Sequence, residues 1–145
     1  MESDQPSQIP GVALVKSELR NVELQVLSEK PEPKGFMDYR VSIAPEFLKK
    51  DGTSSIDWFI QKVEATLKAF PGDPSKPAPQ NVSPLLTCKI NFILRYKVSD
   101  TEQSEEGILK QKAYFESHSS IIARALMKSI LRETSFATIP IPFGA

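Results

Sequence analysis

Few residues in this chain could do chemistry by themselves. His118 is the single histidine and Cys88 the single cysteine among 145 residues. A histidine beside a carboxylate and a hydroxyl would suggest nucleophilic catalysis, and a cluster with cysteine or acids would suggest a metal site. His118 has no partner at triad or ligand spacing, so it reads as a polar residue ahead of a helix cap. Cys88 falls on the apolar side of an alternating segment and reads as a small buried hydrophobe. No paired acids, metal-ligand cluster or activated nucleophile stands out. The chain therefore reads as a binding protein with no metal or cofactor, not as an enzyme.

Two charge patterns remain. Arg124, Lys128 and Arg132 recur every four residues; this basic stripe could meet phosphate, but it reads as a solvated or interface face of a helix. Asp100, Glu102, Glu105 and Glu106 crowd residues 99–107, a solvated acidic loop or, alternatively, a docking site for a basic partner. Across the chain 18 lysines and arginines balance 18 acids, so a nucleic-acid partner is not expected. No apolar run approaches the roughly 20 residues a membrane-spanning helix needs, and membrane insertion is not expected. Residues 1–10 are polar, unlike a signal peptide, and read as a disordered lead-in to one domain over 11–145. The lone cysteine fits a reducing compartment. Together these features predict a soluble cytoplasmic protein.

A binding protein of this kind needs adaptable apolar surface, which aromatic side chains supply. Tyr39, Trp58, Phe59 and Phe92 are the candidates from sheet-patterned segments; an ordinary core role is the alternative for each. The tail offers Ile139, Ile141 and Phe143, held extended by Pro140 and Pro142, with packing against the body as the alternative.

The elements that must position these residues read as α+β: a four-stranded antiparallel sheet packed by one long C-terminal helix. Val12, Leu14, Val22, Leu24 and Val26 share one parity around the charged Lys16, Glu18 and Arg20, giving one or two strands with a break in the middle. Tyr39, Val41 and Ile43 mark the next strand, ended by Pro45. Residues 56–70 alternate from Lys62 onward, yet Ile56, Phe59, Ile60, Val63, Leu67 and Phe70 also fit a helical stripe. We read a strand, bent or bulged near Gln61, because its neighbours need a pairing partner. Residues 71–84 hold five of the 12 prolines and form a loop. Residues 86–98 alternate throughout and are the clearest strand; left at a sheet edge it would invite aggregation, which pairing across subunits would cover. The helix is expected to start at Ser119 or Ser120, with Ile122, Leu126 and Ile130 on its apolar face.

Residues 113–136 read AYFESHSSIIARALMKSILRETSF, followed by Ile139-Pro140-Ile141-Pro142-Phe143. This stretch resembles the C-terminal part of the SecB family of export chaperones. There an Ala-Tyr pair leads into a helix carrying Ala-Arg, which ends at a small-residue-plus-Phe turn before an apolar, proline-containing tail. The matching residues are Ala113-Tyr114, Ala123-Arg124, Ser129 and Ser135-Phe136. The resemblance implies a sheet backed by a long helix, assembly as a dimer of dimers, and ATP-independent holding of unfolded, export-bound chains in apolar grooves. The family equivalent of Cys88 lies close to a subunit contact. The resemblance therefore assigns Cys88, with Ile122, Leu126 and Ile130, to a subunit interface. Three departures stand out. Ser119-Ser120-Ile121-Ile122 replaces an aromatic-proline segment, Lys89 reverses the acidic docking position for the SecA motor, and a second helix and acidic tail are not seen. They argue against handoff to a SecA-type motor and fit a specialised client, as for solitary or toxin–antitoxin-linked relatives. From a different class, a structural or assembly module with one fixed protein partner, for example phage-encoded, also accommodates the sequence.

Overall fold

A computed structural model describes residues 11–27, 35–49, 56–72, 82–99, 104–134, 136 and 141. Four strands, β1 (Val12–Val26), β2 (Gly35–Lys49), β3 (Ile56–Pro71) and β4 (Leu86–Val98), precede two helices, α1 (Glu105–Leu109) and α2 (Lys112–Leu131). The strands form one antiparallel sheet in the order β1-β4-β3-β2, and α2 packs across β2, β3 and β4. The predicted α+β plan therefore holds. The lead-in 1–10 and residues 73–81 of the proline-rich stretch lie outside the described residues.

β4 follows its sequence pattern: Leu86, Cys88, Ile90, Phe92, Leu94, Tyr96 and Val98 are all buried, each intervening residue half-exposed. Residues 56–70 are a strand, as read. Val63, Ala65, Leu67 and Ala69 point with Phe59 into the core beneath α2. The helix-like stripe arose because Ile60 is buried on the opposite face, outside that core.

Several expectations need correction. β4 is an interior strand between β1 and β3, so β1 and β2 are the edges. β3 carries no register shift near Gln61; the irregularity in that pair lies at Leu48/Lys49. β2 continues through Pro45 to Lys49, which an edge strand tolerates because the missing N–H can face away from the ladder. At the start of β2, a Cβ on Gly35 would collide with the Phe70 carbonyl, so the close approach of β2 to β3 requires glycine there. Of the two alternatives for β1, the structure has the single strand, and its expected break takes the form of two register shifts, at Leu14/Lys16 and Leu19/Asn21.

The helix also starts earlier than expected, at Lys112 and not Ser119. Ser119 caps nothing; it is fully buried in the second turn, donating its hydroxyl to Gln61 Oε1 at 2.8 Å. The cap lies upstream, where Ser104 Oγ accepts from the Gly107 amide at 3.0 Å and opens α1 inside the supposed acidic loop. A tight turn through Lys110 and Gln111 then leads into α2, with Gln111 N–H bonded to the Ile108 carbonyl. The C-terminal stop is as read: Thr134 Oγ1 donates to the Leu131 carbonyl and accepts from the Phe136 amide.

Every fourth residue of α2, Phe115, Ser119, Ala123, Met127 and Leu131, is buried on the sheet. Phe115 meets Phe59 and Tyr96 edge-on, with ring centroids 4.7 and 4.9 Å apart, and Phe47 stacks on Phe59 at 5.0 Å. Such ring pairs add about 0.5–1.5 kcal/mol each beyond their buried area, so this aromatic knot fixes the first half of α2 to the sheet.

Candidate functional site

The sequence-selected aromatics separate onto two faces of the sheet. Tyr39, Phe59 and Phe92 lie on the face under α2 and are buried. Trp58 lies on the opposite face, half-exposed, with Lys97 Nζ 4.9 Å above its ring and Asp57 paired to the same lysine. Of the tail residues, Ile141 is buried in the core, while Ile139 and Phe143 are outside the described residues. Cys88 is part of the core floor, where burial pushes its thiol up to about 11. Ile122, Leu126 and Ile130 flank the buried ridge of α2, partly buried.

Sequence reasoning missed the most exposed apolar surface. On β1, Leu14, Leu19, Val22, Leu24 and Val26 stand opposite Tyr96, Phe92, Ile90, Cys88 and Leu86 of β4, and so share the face that α2 covers further along the sheet. Each nevertheless stays 37–46% exposed. The shared parity of Leu14 and Val22–Val26 was visible, but Leu19 has the wrong parity for that face in a regular strand. The two register shifts rotate the middle of the strand by one residue and then restore it. An apolar strip from Leu14 to Val26 thus runs along β1. Its outer border is the edge of β1 that pairs with no described strand.

At the other margin, β2, α1 and α2 enclose a small apolar cleft of about 80 Å³ between Ile43, Pro45, Ile108, Leu109 and Phe115. Lys49 and Glu105, 3.2 Å apart, tie the end of β2 to α1 beside it. Further along this margin Arg124, from the supposed basic stripe, donates Nε–H to the Ile141 carbonyl at 2.8 Å. Lys128 and Arg132 are exposed. The Ala-Arg pair therefore has a direct structural use: Ala123 lets the helix approach the sheet, and Arg124 holds the chain beyond the helix.

Burial holds the Tyr39 phenol above its ordinary range, partly offset by the Arg124 charge. His118 Nδ1 lies 3.2 Å from the Tyr96 hydroxyl, and desolvation pulls the imidazole below its usual range. Tyr96 is buried, which pushes its phenol strongly up. The pair is a satisfied polar contact in an aromatic setting; neither group is positioned as an activated base. No group of three potential metal ligands occurs among the described residues.

The outer face of the sheet carries alternating charges, including Lys62–Glu46 at 3.5 Å and Lys89–Glu64 at 3.6 Å. Such exposed pairs contribute little, about 0–1 kcal/mol each. Lys89 is thus balanced locally. No described helix is long and apolar enough to cross a membrane.

No protein-family model matches the sequence, and no curated protein matches it. Among solved structures, the chain is similar to the SecB-like chaperone Rv1957 of Mycobacterium tuberculosis, in complex with a ChAD peptide from the Rv1956 HigA1 antitoxin. The TM-score is 0.61 at 13% identity, covering 90% of this chain and 89% of that one. The four-stranded antiparallel sheet with its C-terminal helix is therefore a SecB-like fold.

Proposed function

We propose that this protein is an ATP-independent, SecB-like holding chaperone that keeps non-native polypeptide from aggregating by burying its apolar segments. The observation that carries the reading is the apolar strip of β1 on a SecB-like fold. A strip of this length beside a strand edge that no described strand pairs suits a polypeptide cover, whether a second copy or a client. The reading requires no catalytic residue or cofactor.

The two margins suit different partners. The β1 edge and strip, together with Ile122, Leu126 and Ile130 of α2, suit a second copy, giving a homo-oligomer, a dimer or tetramer, with Cys88 beneath the contact. The β2 margin, with Tyr39, the cleft at Ile43 and Leu109, and Ile141, suits unfolded clients; Ile139 and Phe143, which lie outside the described residues, remain client-binding candidates from their sequence alone. Phe59 lines the cleft from beneath, whereas Phe92 lies under the β1 strip, opposite Leu19; Trp58, on the outer face, belongs to a separate surface. The local balance of Lys89 by Glu64 supports a system that does not hand clients to a SecA-type motor. The peptide bound to the neighbour supports a polypeptide client, and we place the protein in the cytoplasm.

Light-scattering mass, with and without a permanently unfolded model protein, tests this. An oligomer that takes up the client and keeps it soluble is the expected result. A monomer indifferent to unfolded chains would sink the chaperone reading and favour the fixed-partner module. An oligomer that binds one partner and rescues no other client would do the same.

A further inference from the structure

We propose that Tyr39 and Arg124 form a polar subsite for the main-chain carbonyls of an extended, apolar polypeptide, at the position where Ile141 now sits. The inference rests on the chaperone reading and assigns polar recognition to what is otherwise an apolar surface.

Tyr39 is only 9% exposed, and its hydroxyl has no hydrogen-bond partner among the described residues. A buried hydroxyl without a partner destabilises the chain that carries it, and phenylalanine would fill the same space without that penalty. The hydroxyl thus has no use in the chain as it stands. Arg124, on α2, is close enough to act on the phenol electrostatically and donates Nε–H to the Ile141 carbonyl at 2.8 Å. The Ile141 side chain is buried in the same apolar core that holds Tyr39. A branched apolar side chain packed into the core, its carbonyl held by a guanidinium, is what one residue of an extended client would present.

The chemistry selects a carbonyl. Tyr39 offers a neutral O–H donor and Arg124 a charged one, and a peptide oxygen accepts from either without bringing a charge that must be desolvated. Main-chain recognition also suits a holding chaperone, because every client has carbonyls whatever its side chains. A client takes the Ile141 position with one carbonyl on Arg124 and a neighbouring one on Tyr39.

The test is the Tyr39→Phe variant, compared with the unaltered chain for thermal unfolding and for affinity towards reduced, carboxymethylated α-lactalbumin by fluorescence anisotropy. The variant is expected to unfold at a higher temperature, by about 3–5 °C, since it loses only an unsatisfied group. It is expected to bind the client about threefold to tenfold more weakly, the loss of one hydrogen bond. Equal affinity in the variant, or a lower unfolding temperature, overturns the subsite. An unaltered chain that binds no α-lactalbumin at all overturns the chaperone reading itself, and with it this inference.

Discussion

The decisive perturbation of the β1 surface is Leu19→Lys. Leu19 is the middle residue of β1, so a two-fold antiparallel pairing of two complete β1 edges would set it against its own copy. The same symmetry would set Glu18 of each copy opposite Arg20 of the other. Leu19 is 46% exposed; since full burial of a leucine contributes about 1.5–3 kcal/mol, covering the remainder contributes about 0.7–1.4 kcal/mol per copy. Summed over the five strip residues, each with about 40% left to bury, the surface offers roughly 3–6 kcal/mol per protomer. The lysine substitution does more than remove a share of this. It would bury two ammonium groups facing each other, at a cost of several kcal/mol per ion, so dimer affinity should fall at least about a thousand-fold. Within one chain the effect should be small, because the lysine stem covers the same floor while its head reaches water. Unfolding stability at low protein concentration should change by less than about 1 kcal/mol. Light-scattering mass over a concentration series, paired with urea unfolding, separates the two effects. Unchanged oligomer mass and affinity in the variant would refute β1 as the self-association surface.

Three further outcomes follow from Ser119, His118 and Cys88. Ser119→Ala leaves Gln61 Oε1 buried without its donor and should lose about 1–3 kcal/mol in urea unfolding. Adding Gln61→Leu should recover part of that loss, and strict additivity in the cycle would show that the 2.8 Å bond carries no coupling. His118 has a folded-state affinity for protons below that of the unfolded chain. Its contribution is therefore complete above the ordinary imidazole value, about 6.5, and is lost as pH falls below it. The unfolding temperature should drop between about pH 7 and pH 5 less in His118→Gln than in the unaltered chain, and proton NMR of the single imidazole gives the folded value directly. A parallel decline in both proteins would remove His118 from the account. Cys88, buried and with its thiol raised to about 11, should react with an aromatic disulfide reagent only as fast as the chain unfolds. Rapid labelling of the native protein would contradict its placement.

The sequence by itself determined the element types wherever one strong period spoke alone. β4 alternates, with Ile93 the one apolar residue on its outer face, because it is an interior strand covered on one face, and the Ser135-Phe136 turn matched to the family marked the helix end. The Ala-Arg helix pointed to the fold before any geometry was known. What remained hidden depended on contacts between segments distant in the chain. Ser119 looks like a cap in isolation and becomes a buried donor only because Gln61, 58 residues earlier, lies opposite it. Pro45 looks like a strand end and is tolerated because β2 turned out to be an edge. Leu19 looks misplaced until two bulges, set by pairing with β4, bring it onto the apolar face. Sequence period reports what each residue's own backbone does next. Which strand becomes the edge, which face the helix leaves uncovered, and which buried hydroxyl lacks a partner are settled only when the layers pack, because each is a property of two or more elements at once.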